Sequence, residues 1–215
     1  KTSLLSAVVK ILPSLNLRPL LLAPTGRAAK VMSTYSGRSA FTIHKIIYKP
    51  KGDPGTLGGG FTLQKNYFKD TLFVVDESSM LADDGGMSGN LLWDLITYTF
   101  SGEGNRLLLV GDTAQLPPVG SQYSPALDAE YLLRHYRLDA EQIELVEVMR
   151  QKLESGILFN ATSLRNELGS EKATIQIQTH LFKDIFKMTS EKLEDGLRYA
   201  YSKYGTENTC IITRS

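Results

Sequence analysis

The 215 residues carry 24 lysines and arginines against 23 aspartates and glutamates, a formal net charge of +1. No overall basic field therefore marks a nucleic-acid partner, and any such contact has to come from a local patch. Hydrophobic residues at 42% and charged residues at 22% are those of an ordinary globular chain, and no apolar run approaches the ~20 residues of a bilayer span.

In chain order, the sequence opens on Lys1-Thr2-Ser3 without an initiator methionine and enters a helical apolar pattern at Leu4, Leu5, Val8, Val9, Ile11 and Leu12. It closes on Ile211-Ile212-Thr213-Arg214-Ser215, in or just after a strand. Both ends read as cut, so the expectation is a piece of a longer protein. No signal peptide is visible. The single Cys210 stands in the apolar run 209–213, which reads as a buried thiol in a reducing compartment and predicts a cytoplasmic chain without a membrane partner.

A Lys-Thr pair at a helix start is either the tail of a phosphate-binding loop, G-x-x-x-x-G-K-[ST], or an ordinary helix N-terminus. In the first reading Lys1 reaches the β- and γ-phosphates and the Thr2 hydroxyl ligates Mg²⁺; the loop glycines are not in this sequence. Next, Pro19-Leu20-Leu21-Leu22-Ala23 predicts a short buried strand, and Pro24, Thr25, Gly26 and Arg27 form its turn into a helix begun by Ala28 and Ala29. Backbone amides and a hydroxyl at such a turn suit a nucleic-acid phosphate; a plain strand-to-helix connection fits the same residues.

Thr42 can cap a short helix over 43–48 that carries His44, a packed residue or a functional one. Residues 49–70 then turn rich in glycine and proline, followed by Phe61, Tyr67 and Phe68, which predicts an inserted loop or small hairpin. Its aromatics are either a wedge against a terminal base pair or side chains packed on the sheet.

The run 71–75 is wholly apolar after Thr71 and ends in the carboxylates Asp76 and Glu77. A run of that kind reads as a buried parallel strand, and open α/β sheets place ligand chemistry at the carboxyl ends of such strands. Two adjacent charges there call for a reason. A bound cation with a water to be activated is one, and a helix N-terminus that favours acidic residues is the other. A glycine-rich loop at 82–90 leads into an amphipathic helix over 91–100 with Trp93 packed.

The strand 106–110 runs into Gly111-Asp112 and the proline-stiffened loop 113–120, where the Gln115 amide can sense a terminal phosphate or orient water. Residues 143–148 are strand-like and end in Met149-Arg150-Gln151, where Arg150 is an arginine finger or a surface charge. From 152 to 204 the apolar spacing (Leu153, Ile157, Leu158, Ala161, Leu164, Leu168, then Leu181, Ile185, Phe186) predicts amphipathic helices.

Taken together and in this order, Lys1-Thr2, the stretch 23–30, Thr42-Ile43-His44, the stretch 75–80, the stretch 110–120 and Glu147-Val148-Met149-Arg150-Gln151 resemble the motifs of superfamily 1B DNA helicases. The likeness is to the RecD-like and Dda-like group, which includes the alpha subunit of exodeoxyribonuclease V, and it covers residues 1–151. The resemblance implies an α/β P-loop NTPase (RecA-like) three-layer sandwich with a mainly parallel sheet, a small insertion and a helical C-terminal segment. It implies a first motor domain over 1–150 with its insertion at about 49–70, a helical linker at 151–205 and the start of a second motor domain at 206–215.

It further implies ATP and Mg²⁺ as ligands, with Lys1 on the phosphates, Thr2 and Asp76 on the metal, Glu77 polarising the attacking water, Gln115 sensing the γ-phosphate and Arg150 stabilising developing charge. Pro24, Thr25, Gly26, Arg27 and His44 would touch single-stranded or forked DNA along which the family moves 5′ to 3′. Partner subunits of a recombination or repair complex are part of the same implication. An RNA-directed superfamily 1 helicase and a non-catalytic nucleic-acid-binding fragment are the competing readings. The 215-residue chain alone is expected to be inactive.

Overall fold

Three consecutive leucines anchor the sheet. Leu20 and Leu22 of strand β1 (Arg18–Ala23) enter one apolar cluster and Leu21 enters another, which is what a strand covered on both faces requires. Strand β5 (Thr71–Val75) repeats the pattern, with Phe73 and Val75 on one side and Val74 on the other. Together with β2 (Ala40–Thr42) and β6 (Arg106–Leu109) they form a parallel sheet in the order β2-β1-β5-β6.

On one face lie Leu5 and Val9 of helix α1 (Thr2–Ile11) and Met32 of α2 (Gly26–Ser36). On the other lie Ile43 and Ile47 of α3 (Ile43–Ile47), Leu92, Leu95, Ile96 and Tyr98 of α4 (Leu91–Phe100) and Leu132 of α5 (Ala129–Tyr136). The architecture is thus a three-layer α/β sandwich, as the resemblance implies, built on the buried parallel strands that the apolar runs predict. The computed structural model describes residues 2–51, 60–83, 90–145, 155–168 and 174–213, with the side chain of Thr2 outside that description. They fall into two units, Lys1–Leu145 and Val146–Ser215.

The insertion is a hairpin rather than an irregular loop. β3 (Tyr48–Pro50) pairs antiparallel with β4 (Phe61–Leu63), and the Lys51 amide donates to the Gly60 carbonyl at 2.7 Å. Its tip, 52–59, lies outside the described residues. Phe68 packs edge-on against Phe73 at 5.7 Å, whereas Phe61 and Tyr67 are 65% and 80% exposed.

Four sequence expectations need correction. Of the run 143–148, residues 143–145 form no strand and pair with neither sheet, and Ile143 is 84% exposed; 146–148 lie outside the description. In the second unit, α6 (Gly156–Glu167) and α7 (Leu193–Tyr204) are present, but the stretch around Leu181, Ile185 and Phe186 is not helical. Side chains of the α6 region hold that stretch instead: Asn160 exchanges hydrogen bonds with the Gln178 backbone at 2.7 and 2.8 Å, and the Asp184 carboxylate accepts from Ser155 Oγ and the Gly156 amide. Such side-chain-to-backbone bonds compete with a helix ladder. Cys210 is exposed, not buried, since 209–213 is not paired into a sheet. Trp93, finally, is only half packed, 49% exposed with its ring 5.6 Å from that of Tyr136. Among the described residues no helix is long and apolar enough to cross a membrane.

Candidate functional site

Parallel strands deliver all their carboxyl ends to one edge, and the register shows which loops meet there. Leu22 pairs with Val75, Val75 with Leu109 and Ala23 with Thr42. The turn 24–25, the start of α3, the Asp76-Glu77 pair and the loop after β6 therefore share that edge. α1 returns to the opposite end of β1 through the short 3₁₀ turn Leu12–Leu15, so its first residue, Thr2, belongs to the same edge as Asp76.

Asp76 is 6% exposed and well supported. Its amide donates to the Leu22 carbonyl at 3.0 Å; its Oδ1 accepts from the Glu77 amide at 2.9 Å and its Oδ2 from the Tyr35 hydroxyl at 2.7 Å. Burial first, then that hydrogen bond, then the negative charges of Asp76 and Glu77 push the Tyr35 phenol above its ordinary range, so it stands as a protonated donor at neutral pH.

Glu77 is only partly buried and takes a left-handed conformation, φ 55° and ψ 37°. A non-glycine residue held there stores on the order of 1 kcal/mol or more and points to a constrained site. The constraint comes from the next residue. The Ser78 amide donates to the Val110 carbonyl at 3.0 Å, its hydroxyl donates to Val75 at 2.8 Å and accepts from the Val110 amide at 3.2 Å. Ser79, with a buried hydroxyl that finds no partner among the described residues, presents its carbonyl to Ser124 Oγ at 3.1 Å. These bonds tie the carboxylate loop to the end of β6.

Beyond β6, Asp112 accepts from the Ala114 amide at 3.0 Å through its side chain and from the Gln115 amide at 3.0 Å through its carbonyl. That turn presents the Gln115 side chain exposed. At β1, Pro24 is half-buried while Thr25, Gly26 and Arg27 are exposed, and Thr25 Oγ1 caps α2 by accepting from the Ala28 amide at 3.2 Å. Thr42 caps α3 as expected, its Oγ1 accepting from the Lys45 amide at 3.3 Å. His44 is exposed, its ring 5.4 Å from that of Tyr48.

The sheet edge thus gathers Pro24, Thr25, Gly26, Arg27, His44, Asp76, Glu77 and Gln115. Lys1, Arg150 and the Thr2 side chain lie outside the description. Sequence reasoning missed Tyr35 and Ser78. An aromatic at a half-buried helix position carries no pattern that sets it apart, and Ser78 could have been suspected only from its place beside the carboxylates.

The sequence family described as an AAA domain matches residues 1–121, more than half of the chain. The chain belongs to the AAA domain family. Its AAA domain also has a curated relative, the ATP-dependent RecD2 DNA helicase of Deinococcus radiodurans, 33% identical over 168 residues that make up 76% of this chain and 20% of the relative. The chain therefore spans about a fifth of that relative's length. Unliganded Pif1 from Bacteroides sp is similar at 22% identity and a TM-score of 0.39, covering 74% of this chain and 39% of that structure. The matched AAA domain region contains Asp76, Glu77 and Gln115 and stops before residues 137–145.

Proposed function

We propose that this chain is the first motor domain of an ATP-dependent DNA helicase that moves 5′ to 3′ and separates duplex. The observation that carries the reading is the buried Asp76 followed by a conformationally constrained Glu77, on the same sheet edge as the Thr25–Arg27 turn and the Gln115 loop. An ATP-dependent DNA helicase among its relatives supports it. We assign residues 1–150 to the motor domain, 151–205 to a linker and 206–215 to the start of a second motor domain, in the cytoplasm, with repair or recombination subunits as further partners.

Asp76 and Thr2 would hold Mg²⁺, which when bound neutralises phosphate oxygens. One carboxylate and one hydroxyl suit a hard cation that keeps several waters and takes phosphate oxygens as its other ligands. The chain's own residues do the rest. Lys1 draws the β- and γ-phosphates to the start of α1, and Glu77, half-buried and rigidly placed, accepts the proton of the attacking water. Gln115 reads the γ-phosphate, while Arg150 offsets charge on the transferred phosphoryl group, a role worth ~10³-fold or more in rate. Pro24, Thr25, Gly26, Arg27 and His44 hold the DNA backbone.

The test is unwinding by the full-length protein of duplexes with either tail polarity. Strand separation of 5′-tailed DNA with ATP and Mg²⁺, and none of 3′-tailed DNA, is expected. Unwinding confined to RNA would establish the RNA-directed reading, and nucleic-acid binding without ATP turnover would establish the non-catalytic one.

A further inference from the structure

Tyr35 belongs to none of the motifs read from the sequence, yet its hydroxyl reaches the Asp76 carboxylate. It occupies the penultimate position of α2 (Gly26–Ser36), packed beside the apolar cluster of Leu5, Val9, Leu21, Met32 and Val74. From there, across 41 residues of sequence, its hydroxyl donates to Asp76 Oδ2 at 2.7 Å. The Glu77 amide donates to Oδ1 at 2.9 Å. These two bonds hold the plane of the carboxylate from both sides.

The support on the two sides differs in kind. The Glu77 amide is backbone and moves only with the carboxylate loop. The Tyr35 hydroxyl comes from another element, and its ring packs against the apolar cluster. Both features suit a group whose task is to orient a ligand in the outer shell of a metal, where such partners fix the first-shell geometry.

We propose that Tyr35 is a positioning residue for the metal-holding carboxylate, fixing the plane of Asp76 toward the cation on the nucleotide phosphates. This rests on the assignment of Asp76 as a Mg²⁺ ligand made above. Tyr35→Phe keeps the ring in its cluster and removes only the donor, so packing and positioning separate.

The experiment is Mn²⁺ binding to the full-length protein, read by the loss of the free-ion electron paramagnetic resonance signal, with a non-hydrolysable ATP analogue present. Wild type, Tyr35→Phe and Asp76→Asn are compared well below their melting midpoints, and nucleotide affinity is measured separately without metal. The expected result is loss of protein-dependent Mn²⁺ binding in Asp76→Asn and roughly tenfold weaker binding in Tyr35→Phe, with the metal-free nucleotide affinity of Tyr35→Phe unchanged. A purely structural Tyr35 would lower the melting midpoint and leave Mn²⁺ affinity at the wild-type value, which overturns the proposal. Wild-type Mn²⁺ binding in Asp76→Asn would instead remove the assignment on which it rests.

Discussion

At the scale of single residues, the site depends on backbone placement as much as on functional groups. Gly111 shows this. A Cβ at that position would stand 2.6 Å from Leu127 Cδ1 and 2.9 Å from the Ser79 amide. The leucine can rotate away, but the amide belongs to the turn that Ser78 pins to Val110. Gly111→Ala is therefore expected to cost roughly 1–3 kcal/mol by overpacking and to displace the Glu77 loop, so that the melting midpoint of the chain and the ATPase rate of the full-length protein fall together. An unchanged midpoint would show that the loop yields freely. Asp76 and Glu77 were legible in the sequence because charges closing an apolar run are conspicuous. The left-handed Glu77 and the Tyr35 bond were not, since both arise from contacts between elements far apart in the chain.

At the scale of elements, β1, β5 and β6 were legible because parallel strands covered on both faces read as unbroken apolar runs, and α4 because its apolar face is periodic, while its Asn90 cap was not read. The stretch at 174–189 misled for the opposite reason. Leu181 and Ile185 have helical spacing, but the hydrogen bonds of Asn160 and Asp184 that decide its path leave no trace in that spacing. The hairpin β3-β4 carries its own prediction. Phe61 of β4 remains exposed, available to stack on a base pair. Replacing residues 52–66 by a short Gly-Ser linker in the full-length protein should leave DNA-stimulated ATP hydrolysis largely intact and abolish unwinding; a normal rate of unwinding per ATP would put the wedge elsewhere. The first turn of α2 offers a hydroxyl, amides and the Arg27 charge, which address phosphates rather than bases. Binding should weaken with salt and vary little among unrelated oligonucleotides, and a strong sequence preference at fixed salt would contradict the placement of DNA there.

At the scale of the whole molecule, one face of logic joins the sheet to the proposed motor. The carboxyl edge of four parallel strands brings Asp76 and Glu77 alongside the Thr25 turn, so the proposed nucleotide and DNA sites would share one layer. The central claim is to be tested on the full-length protein. The decisive measurement is its Mg²⁺-dependent ATP hydrolysis with and without single-stranded DNA, in wild type and in Glu77→Gln. The account predicts stimulation by DNA in the wild type, and a variant that still binds nucleotide but loses turnover by a factor of ~10² or more, since only the proton acceptor has been removed. Wild-type turnover in Glu77→Gln would contradict it.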